Sequence, residues 1–234
     1  MPEQKVMAIT GTSRGLGRYL AEYYTREGFQ VIGCSRHPSD FKDKHYRHFC
    51  LDISDEGKVK AMFMDMDKQF NRLDVLINNA AVHVVNYALL TPLKTVQETL
   101  NINVGGAFVC CCEAVKLMKR NAFGRIINFS SIAVPMGGEG SSVYSASKSA
   151  LEQLSRVLAR EVGPYGITVN TLGLSIVEET GMKNNLSEKV IAGVLGQTIL
   201  KKKLSPQDVA DIIDLVISEK STQITGQTVY LGGI

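Results

Sequence analysis

The stretch VMAITGTSRGLG at residues 6–17 places a short apolar run directly before a glycine-rich loop. Its first part, Val6–Thr10, has the length and composition of a buried parallel strand. A helical stretch then extends to Glu27, Gly28 ends it, and residues 31–35 have the composition of a second strand. We therefore predict a β-loop-α-β unit, which is the context in which a glycine-rich loop binds a pyrophosphate.

The glycine-rich loop itself is the first predicted binding element. Its glycines let the backbone approach a pyrophosphate, and the following helix N-terminus offers free N–H groups and a positive dipole end. We predict that the whole loop contacts the cofactor, namely Gly11, Thr12, Ser13, Arg14, Gly15, Leu16 and Gly17.

The end of the second strand indicates which dinucleotide binds. A site for NAD usually carries an acidic residue at this place. This chain has Ser35 there, followed by Arg36, and Arg14 lies inside the glycine loop. Two guanidinium groups suit a ribose 2′-phosphate because arginine binds phosphate in a two-pronged fashion. The pattern predicts NADP(H), and the alternative is that both arginines are ordinary surface residues.

The rest of the chain continues the alternation of strands and helices. We expect further strands at residues 46–51, 75–77, 124–130, 167–172 and 227–231. This order predicts an α/β fold, a Rossmann-type doubly wound parallel sheet of about seven strands with helices on both faces. The chain is expected to form a single domain over residues 1–234, with a substrate lid at about 173–204, where the sequence is mixed in character.

A second informative stretch, SSIAVPMGGEGSSVYSASK at residues 130–148, carries a Y-x-x-x-K pair. Tyr144 and Lys148 are four residues apart and would lie on one face of a helix. A nearby positive charge lowers a tyrosine pKa from its ordinary value of about 10. The pair is therefore predicted to act as a general acid/base, with the Ser131 hydroxyl available to a substrate oxygen. The alternatives are a surface pair and a turn serine.

Composition narrows the function classes. Hydrophobic residues make up 44% of the 234 residues, and the net charge is only +3, which gives no reason to expect nucleic acid or membrane binding. We expect no run long enough for a membrane span and no N-terminal leader. The five cysteines, three of them consecutive at residues 110–112, predict neither a metal site nor disulfides and favour a cytoplasmic location.

Asparagine at residues 101 and 103 interrupts a long apolar helical region. Asparagine is a poor residue for a helix interior. Asn103 is therefore either a structural residue at a broken helix or a functional residue that holds a water molecule near Lys148.

Taken together, these residues resemble the short-chain dehydrogenase/reductase family in its shorter type, over essentially the whole chain. TGTSRGLG at 10–17 resembles its cofactor loop, NNAA at 78–81 its structural N-N-A-G motif, and ITGQTVYLGG at 224–233 its closing strand. The resemblance implies a catalytic tetrad and a role for each member. In this tetrad, Asn103 would support a proton-relay water and Ser131 would hold the substrate oxygen. Tyr144 would be the acid/base, and Lys148 would lower the tyrosine pKa and bind the nicotinamide ribose.

The resemblance also implies further cofactor contacts. Asp52 would contact adenine, and the remaining contacts would come from Ser35, Arg36, Ile53, Asn79, Ala80, Ala81, Tyr144, Lys148, Leu174 and Ile176. Two departures concern the nicotinamide end, because Leu174-Ser175 stands where the family has Pro-Gly, and the expected threonine, Thr180, comes one residue late. The predicted substrate contacts are His83, Met136, Gly138, Ser141, Leu174 and Met182.

We therefore expect an NADP(H)-dependent oxidoreductase that acts on a carbonyl or alcohol, with ketone reduction favoured. Its motifs are closely similar to those of 3-oxoacyl-carrier-protein reductases, which leaves open an acyl-thioester and a small metabolite ketone as substrate. The alternatives are a non-catalytic NADP(H)-binding regulatory protein and a nucleotide-sugar epimerase or dehydratase. Apolar residues on several faces of the helices near 104–120 and 144–162 predict a homodimer or homotetramer.

Overall fold

Parallel strands form one sheet in the computed structural model, which describes residues 4–178 and 187–234. The strands in that part of the chain are β1 (Val6–Thr10), β2 (Gln30–Ser35), β3 (Tyr46–Cys50), β4 (Val75–Asn78), β5 (Gly124–Ser131), β6 (Ile167–Leu174) and β7 (Thr228–Tyr230). Their order across the sheet is β3-β2-β1-β4-β5-β6-β7, and all pairs are parallel. The predicted doubly wound sheet is confirmed, and several strands are one or two residues longer than predicted.

Helices cover both faces of this sheet. They are α1 (Gly15–Arg26), α2 (Glu56–Phe70), α3 (Leu93–Leu100), α4 (Ala107–Met118), α5 (Ala133–Met136), α6 (Ser142–Val162), α7 (Glu188–Gln197) and α8 (Pro206–Ile217). One apolar core joins α2, α4 and α6 to the sheet, and a second joins α1 and α8 to its other face. The inner strands β1 and β4 are buried along their whole length, which explains why they read as continuous apolar runs.

The asparagine-containing interruption is a π-helical segment, Asn101–Gly106, that connects α3 to α4 without a break. Within the helix over Leu93–Asn121, an 18-residue window has a mean hydropathy of 1.3, so that this helix is long and apolar enough to span a membrane by length and composition alone. By length and composition alone, the expectation that no run is long enough for a membrane span was therefore wrong. Part of this helix packs against the sheet, where Cys110, Cys111 and Ala114 are fully buried, as in a core helix.

The stretch 173–204, predicted to be a lid of mixed sequence, contains more regular structure than expected. β6 continues through Leu174, and α7 occupies much of the segment, with the Ser187 hydroxyl capping its first turn at 3.3 Å from the Val190 N–H. The chain then returns beside β6, where the Glu178 N–H donates to the Leu204 carbonyl at 2.8 Å. Of the residues predicted here, Thr180 and Met182 lie outside the described ranges.

Candidate active site

A cleft of about 880 Å³ opens at the C-terminal edge of the sheet, where β1 and β4 lie side by side and the strand order changes direction. Open α/β sheets bind ligands at this place. The cleft brings together most of the residues predicted from the sequence. Those that line it are Gly11, Ser13, Arg14, Gly15, Leu16, Gly17, Ser35, Arg36, Asp52, Ile53, Asn79, Ala80, Ala81, His83, Ser131, Met136, Gly138, Ser141, Tyr144, Lys148, Leu174 and Ile176.

Two glycines of the loop lie too close to neighbouring atoms to be replaced by a residue with a side chain. Gly11 has a φ of +78°, which favours glycine, and a Cβ there would lie 2.7 Å from Asn79 Nδ2. A Cβ on Gly17 would lie 2.2 Å from the Gly11 carbonyl oxygen. The backbone of the loop is therefore exposed to any ligand that enters the cleft, as pyrophosphate binding at the start of α1 requires.

The NNAA motif holds this loop in position. Asn79 donates from its side chain to the Thr10 carbonyl at 2.8 Å, and the Thr10 hydroxyl accepts from the Asn79 and Ala80 N–H groups at 3.0 and 2.9 Å. These bonds connect the end of β4 to the end of β1. The predicted structural role of the motif thus has a direct physical basis.

The adenosine end of the cleft carries two arginines that are available to a ligand. Arg14 and Arg36 are exposed and line the cleft, and their guanidinium groups make no hydrogen bond or ion pair with another described residue. Arg18, one turn into α1, is by contrast paired with Glu22 and Asp40. The two guanidinium groups, one after the end of β2 and one in the glycine loop, are therefore available to an anion in the cleft.

Two predicted site residues do not line the cleft. The Thr12 side chain is buried below the loop, with its Oγ1 2.9 Å from the Tyr46 hydroxyl, because the loop turns that residue toward β3. Asn103 is also fully buried. Its Nδ2 donates to the Val82 carbonyl at 2.9 Å and to Ser147 Oγ at 3.0 Å, and its Oδ1 accepts from the Val82 N–H at 2.8 Å.

The three remaining tetrad members lie together at the other end of the cleft. α6 presents Tyr144 and Lys148 on one face, and Ser131, at the end of β5, hydrogen-bonds to Tyr144. Lys148 is 4% exposed, and its ammonium donates to the Phe129 carbonyl at 2.7 Å and lies 5.8 Å from the centre of the Tyr144 ring. A phenol, a hydroxyl and a buried cation therefore meet beside the cleft.

The electrostatics of this group differ from the sequence-based expectation. Burial raises the pKa of Tyr144, and the hydrogen bond from Ser131 offsets only part of that increase. The net pKa of Tyr144 is therefore raised, whereas a lowered pKa was expected from the sequence. Burial in turn lowers the pKa of Lys148 from 10.5 to about 8. At neutral pH the tyrosine is thus a neutral phenol, ready to donate a proton, and the lysine is mostly charged.

His83 stands beside the tyrosine. Their rings meet edge to face, with centroids 4.5 Å apart and an interplanar angle of 85°. Burial, and then the charge of Lys148, lower the pKa of His83, so the imidazole is neutral at neutral pH. Among described residues its ring nitrogens have no hydrogen-bond partner, which leaves them available to a molecule in the cleft.

An apolar wall near the tyrosine was not predicted from the sequence. Val190, Ile191 and Val194 of α7 line the cleft together with Val85 and with Met136 of α5, and of these only Met136 was predicted. The α7 residues were missed because residues 173–204 were treated as a lid of mixed sequence, without a helix. The available signal was Ser187 before apolar residues at helical spacing, which is a helix start.

Comparisons with known proteins agree with this geometry. Residues 5–191 match the family model described as short chain dehydrogenase. The chain is 32% identical to the 3-oxoacyl-(acyl-carrier-protein) reductase FabG of Buchnera aphidicola, with 98% of this chain and 96% of the relative covered. It is 31% identical to FabG of Staphylococcus aureus, over 100% of this chain and 98% of the relative, and 29% identical to FabG of Escherichia coli, over 99% and 97%.

Two solved structures share the fold. ElxO with NADP bound superposes with a TM-score of 0.88 at 26% identity, and the match covers 97% of both chains. A tyrosine-to-phenylalanine variant of ElxO with NADPH bound gives the same TM-score and identity, covering 97% of this chain and 96% of that one.

Proposed function

This chain belongs to the short chain dehydrogenase family, and we propose that it is an NADP(H)-dependent oxidoreductase that reduces a carbonyl group to an alcohol. The observation that carries the proposal is the single cleft that joins the glycine loop to Ser131, Tyr144 and Lys148. Such a cleft places a dinucleotide and a substrate carbonyl side by side.

The cleft fits a dinucleotide with a 2′-phosphate. The glycine loop leaves backbone N–H groups open at the start of α1, where a pyrophosphate is stabilised by the helix dipole. Arg14 and Arg36 have no competing partner among described residues and would hold the 2′-phosphate. ElxO, which shares the fold, was solved with NADP and with NADPH, and this supports the same cofactor here.

The bound cofactor supplies the hydride, and the residues of this chain supply orientation and the proton. Ser131 and Tyr144 hydrogen-bond to each other and would both bind the substrate carbonyl oxygen. Tyr144 would then donate its phenolic proton to that oxygen as negative charge develops on it. Tyr144 is a protonated phenol at neutral pH, so it can supply the proton that the reductive direction consumes.

Lys148 stabilises the phenolate that this step leaves behind. Its ammonium group is buried a short distance from the tyrosine, where a charge interacts more strongly than it would in water. Asn103 contributes indirectly, because its side chain holds the backbone of Val82 next to His83. Its support of a proton-relay water is part of the proposal.

For the substrate we favour a 3-oxoacyl thioester over a small polar ketone. The wall formed by Val85, Met136, Val190 and Val194 offers apolar surface to an acyl chain beyond the reacting carbonyl. The curated relatives at about 30% identity are 3-oxoacyl-(acyl-carrier-protein) reductases, which supports the same class. Binding of acyl thioesters and a cytoplasmic location are both part of this proposal.

NADPH oxidation with a panel of carbonyl compounds tests the proposal. We expect turnover with a 3-oxoacyl thioester and slower turnover with short, simple ketones. A protein that binds NADPH but oxidises it with no member of the panel would instead support the non-catalytic, regulatory alternative.

A further inference from the structure

Below the adenosine end of the cleft lies a hydrogen-bonded cluster that the proposed function has not yet used. We call it the Ser35–His48 network, and its side chains are Thr12, Ser35, Tyr46 and His48. The Tyr46 hydroxyl lies 2.8 Å from His48 Nδ1 and 2.9 Å from Thr12 Oγ1. His48 Nε2 lies 3.2 Å from Ser35 Oγ and 3.0 Å from the His37 carbonyl oxygen.

The fold is built around this network. A Cβ at Gly33, in the middle of β2, would lie 2.3 Å from Thr12 Oγ1 and 2.4 Å from the Tyr46 hydroxyl. The absence of a side chain there is what allows the two hydroxyls to meet. The network therefore connects the glycine loop, the end of β2 and β3 directly beneath the turn that carries Arg36.

The His37 carbonyl determines where the imidazole proton resides. A carbonyl oxygen can only accept, so the nitrogen 3.0 Å away from it, His48 Nε2, carries the hydrogen. Nδ1 is then the acceptor that faces the Tyr46 hydroxyl. Ser35 Oγ also donates to the His37 carbonyl, at 2.6 Å, so that two donors share one acceptor.

From this donor count we propose that His48 is a positioning residue for the cofactor 2′-phosphate, acting through Ser35. A serine hydroxyl has one proton, and that of Ser35 is engaged with the His37 carbonyl. Because His48 Nε2–H can satisfy this carbonyl by itself, Ser35, which lines the cleft, is free to turn its proton toward a phosphate oxygen. The inference rests on the proposed NADP(H) preference.

The effect of His48 on binding is expected for NADPH, which carries the 2′-phosphate, and not for NADH. NADH has no 2′-phosphate, so Ser35 has no reason to leave the His37 carbonyl when NADH binds. Without the His48 donor, a hydrogen bond from Ser35 to phosphate would leave that carbonyl with neither of its two donors. His48 therefore affects the ratio of NADPH to NADH affinity rather than dinucleotide binding in general.

The test is a double-mutant cycle on the full-length protein. The dissociation constants for NADPH and NADH are measured by titration for the unmodified protein, His48→Phe, Ser35→Ala and the double variant. We expect each single change to weaken NADPH binding roughly tenfold, the typical effect of losing a hydrogen bond to a charged group, and to change NADH binding less than about twofold. The double variant should be no weaker than Ser35→Ala, because both changes remove the same bond.

A conservative variant serves as the control. His48→Gln keeps an N–H donor for the His37 carbonyl and should retain NADPH binding within about threefold of the unmodified protein. An unchanged NADPH affinity in His48→Phe, equal losses for both cofactors, or fully additive effects with Ser35→Ala would overturn the inference. Equal affinities of the unmodified protein for NADPH and NADH would instead overturn the proposed cofactor preference, which is a separate result.

Discussion

The buried lysine of the catalytic group predicts a measurable cost in stability. Burial lowers the pKa of Lys148 from 10.5 to about 8, so folding disfavours its charged form. At pH 7 the lysine is charged in both the folded and the unfolded chain, and the folded state bears a cost of about 3 kcal/mol. As the pH rises from about 8 to 10.5, the folded protein releases its proton first and the cost decreases, to below about 1 kcal/mol at pH 10.

Lys148→Met replaces the ammonium by an apolar side chain of similar length and removes this cost. It also removes the hydrogen bond to the Phe129 carbonyl, which at about 1.5–3 kcal/mol offsets part of the gain. We expect the variant to be more stable than the unmodified protein at pH 7, by about 1 kcal/mol. Between pH 7 and pH 10, the free energy of unfolding of the unmodified protein should rise by about 2.5 kcal/mol relative to that of the variant.

Urea denaturation at pH 7, 8.5 and 10, followed by circular dichroism because the chain has no tryptophan, measures this difference. Lys68→Met, at an exposed position on α2, is the matched control and should show no comparable change with pH. If the difference in free energy of unfolding between Lys148→Met and the unmodified protein does not change with pH, the reasoning is refuted. Such a result would mean that burial of the charged lysine does not destabilise the folded state.

Three further predictions follow from the cofactor site and the helix surfaces. Arg36→Asp should weaken NADPH binding roughly 10- to 100-fold and spare NADH, as seen by titration, whereas Arg26→Asp, at an exposed position on α1, should change neither. Gly17→Ala, whose Cβ would meet the Gly11 carbonyl at 2.2 Å, should lose binding of both cofactors, and Gly163→Ala, with open space around it, should not. Phe108 and Val157 are 48% and 43% exposed on α4 and α6, and Phe108→Glu should dissociate a dimer or tetramer in sedimentation experiments. A monomeric unmodified protein at micromolar concentration would contradict the last expectation.

Much of the architecture is predictable because its signals are local. β1 and the glycine loop are continuous in sequence, and the close packing of Gly11 and Gly17 leaves little freedom in residue type. Tyr144 and Lys148 lie on one helix, whose periodicity places them on one face regardless of the rest of the fold. Ser205, the capping residue of α8, and Pro206 at its first position likewise signal a helix start from adjacent residues.

The parts that were missed depend on tertiary contacts. The pKa of Tyr144 is dominated by burial, which no local spacing reveals. Thr12 belongs to the loop motif, but its direction is decided by Tyr46 of β3. The partners of Asn103, Val82 and Ser147, come from a loop and a helix distant in sequence, and a π-helical turn places the asparagine among them. α7 was missed because the capping signal at Ser187 was not used and residues 173–204 were treated as a stretch of mixed sequence.

The identity of Tyr144 as the acid/base is the central claim, and the turnover of Tyr144→Phe tests it most directly. The variant keeps the ring and removes only the hydroxyl, so NADPH affinity should stay close to that of the unmodified protein. With the best carbonyl substrate of the panel, the rate of NADPH oxidation should fall on the order of a hundred- to ten-thousand-fold. Tyr165→Phe, at an exposed tyrosine after α6, should keep full activity. Near-normal turnover of Tyr144→Phe with intact NADPH binding would contradict the account.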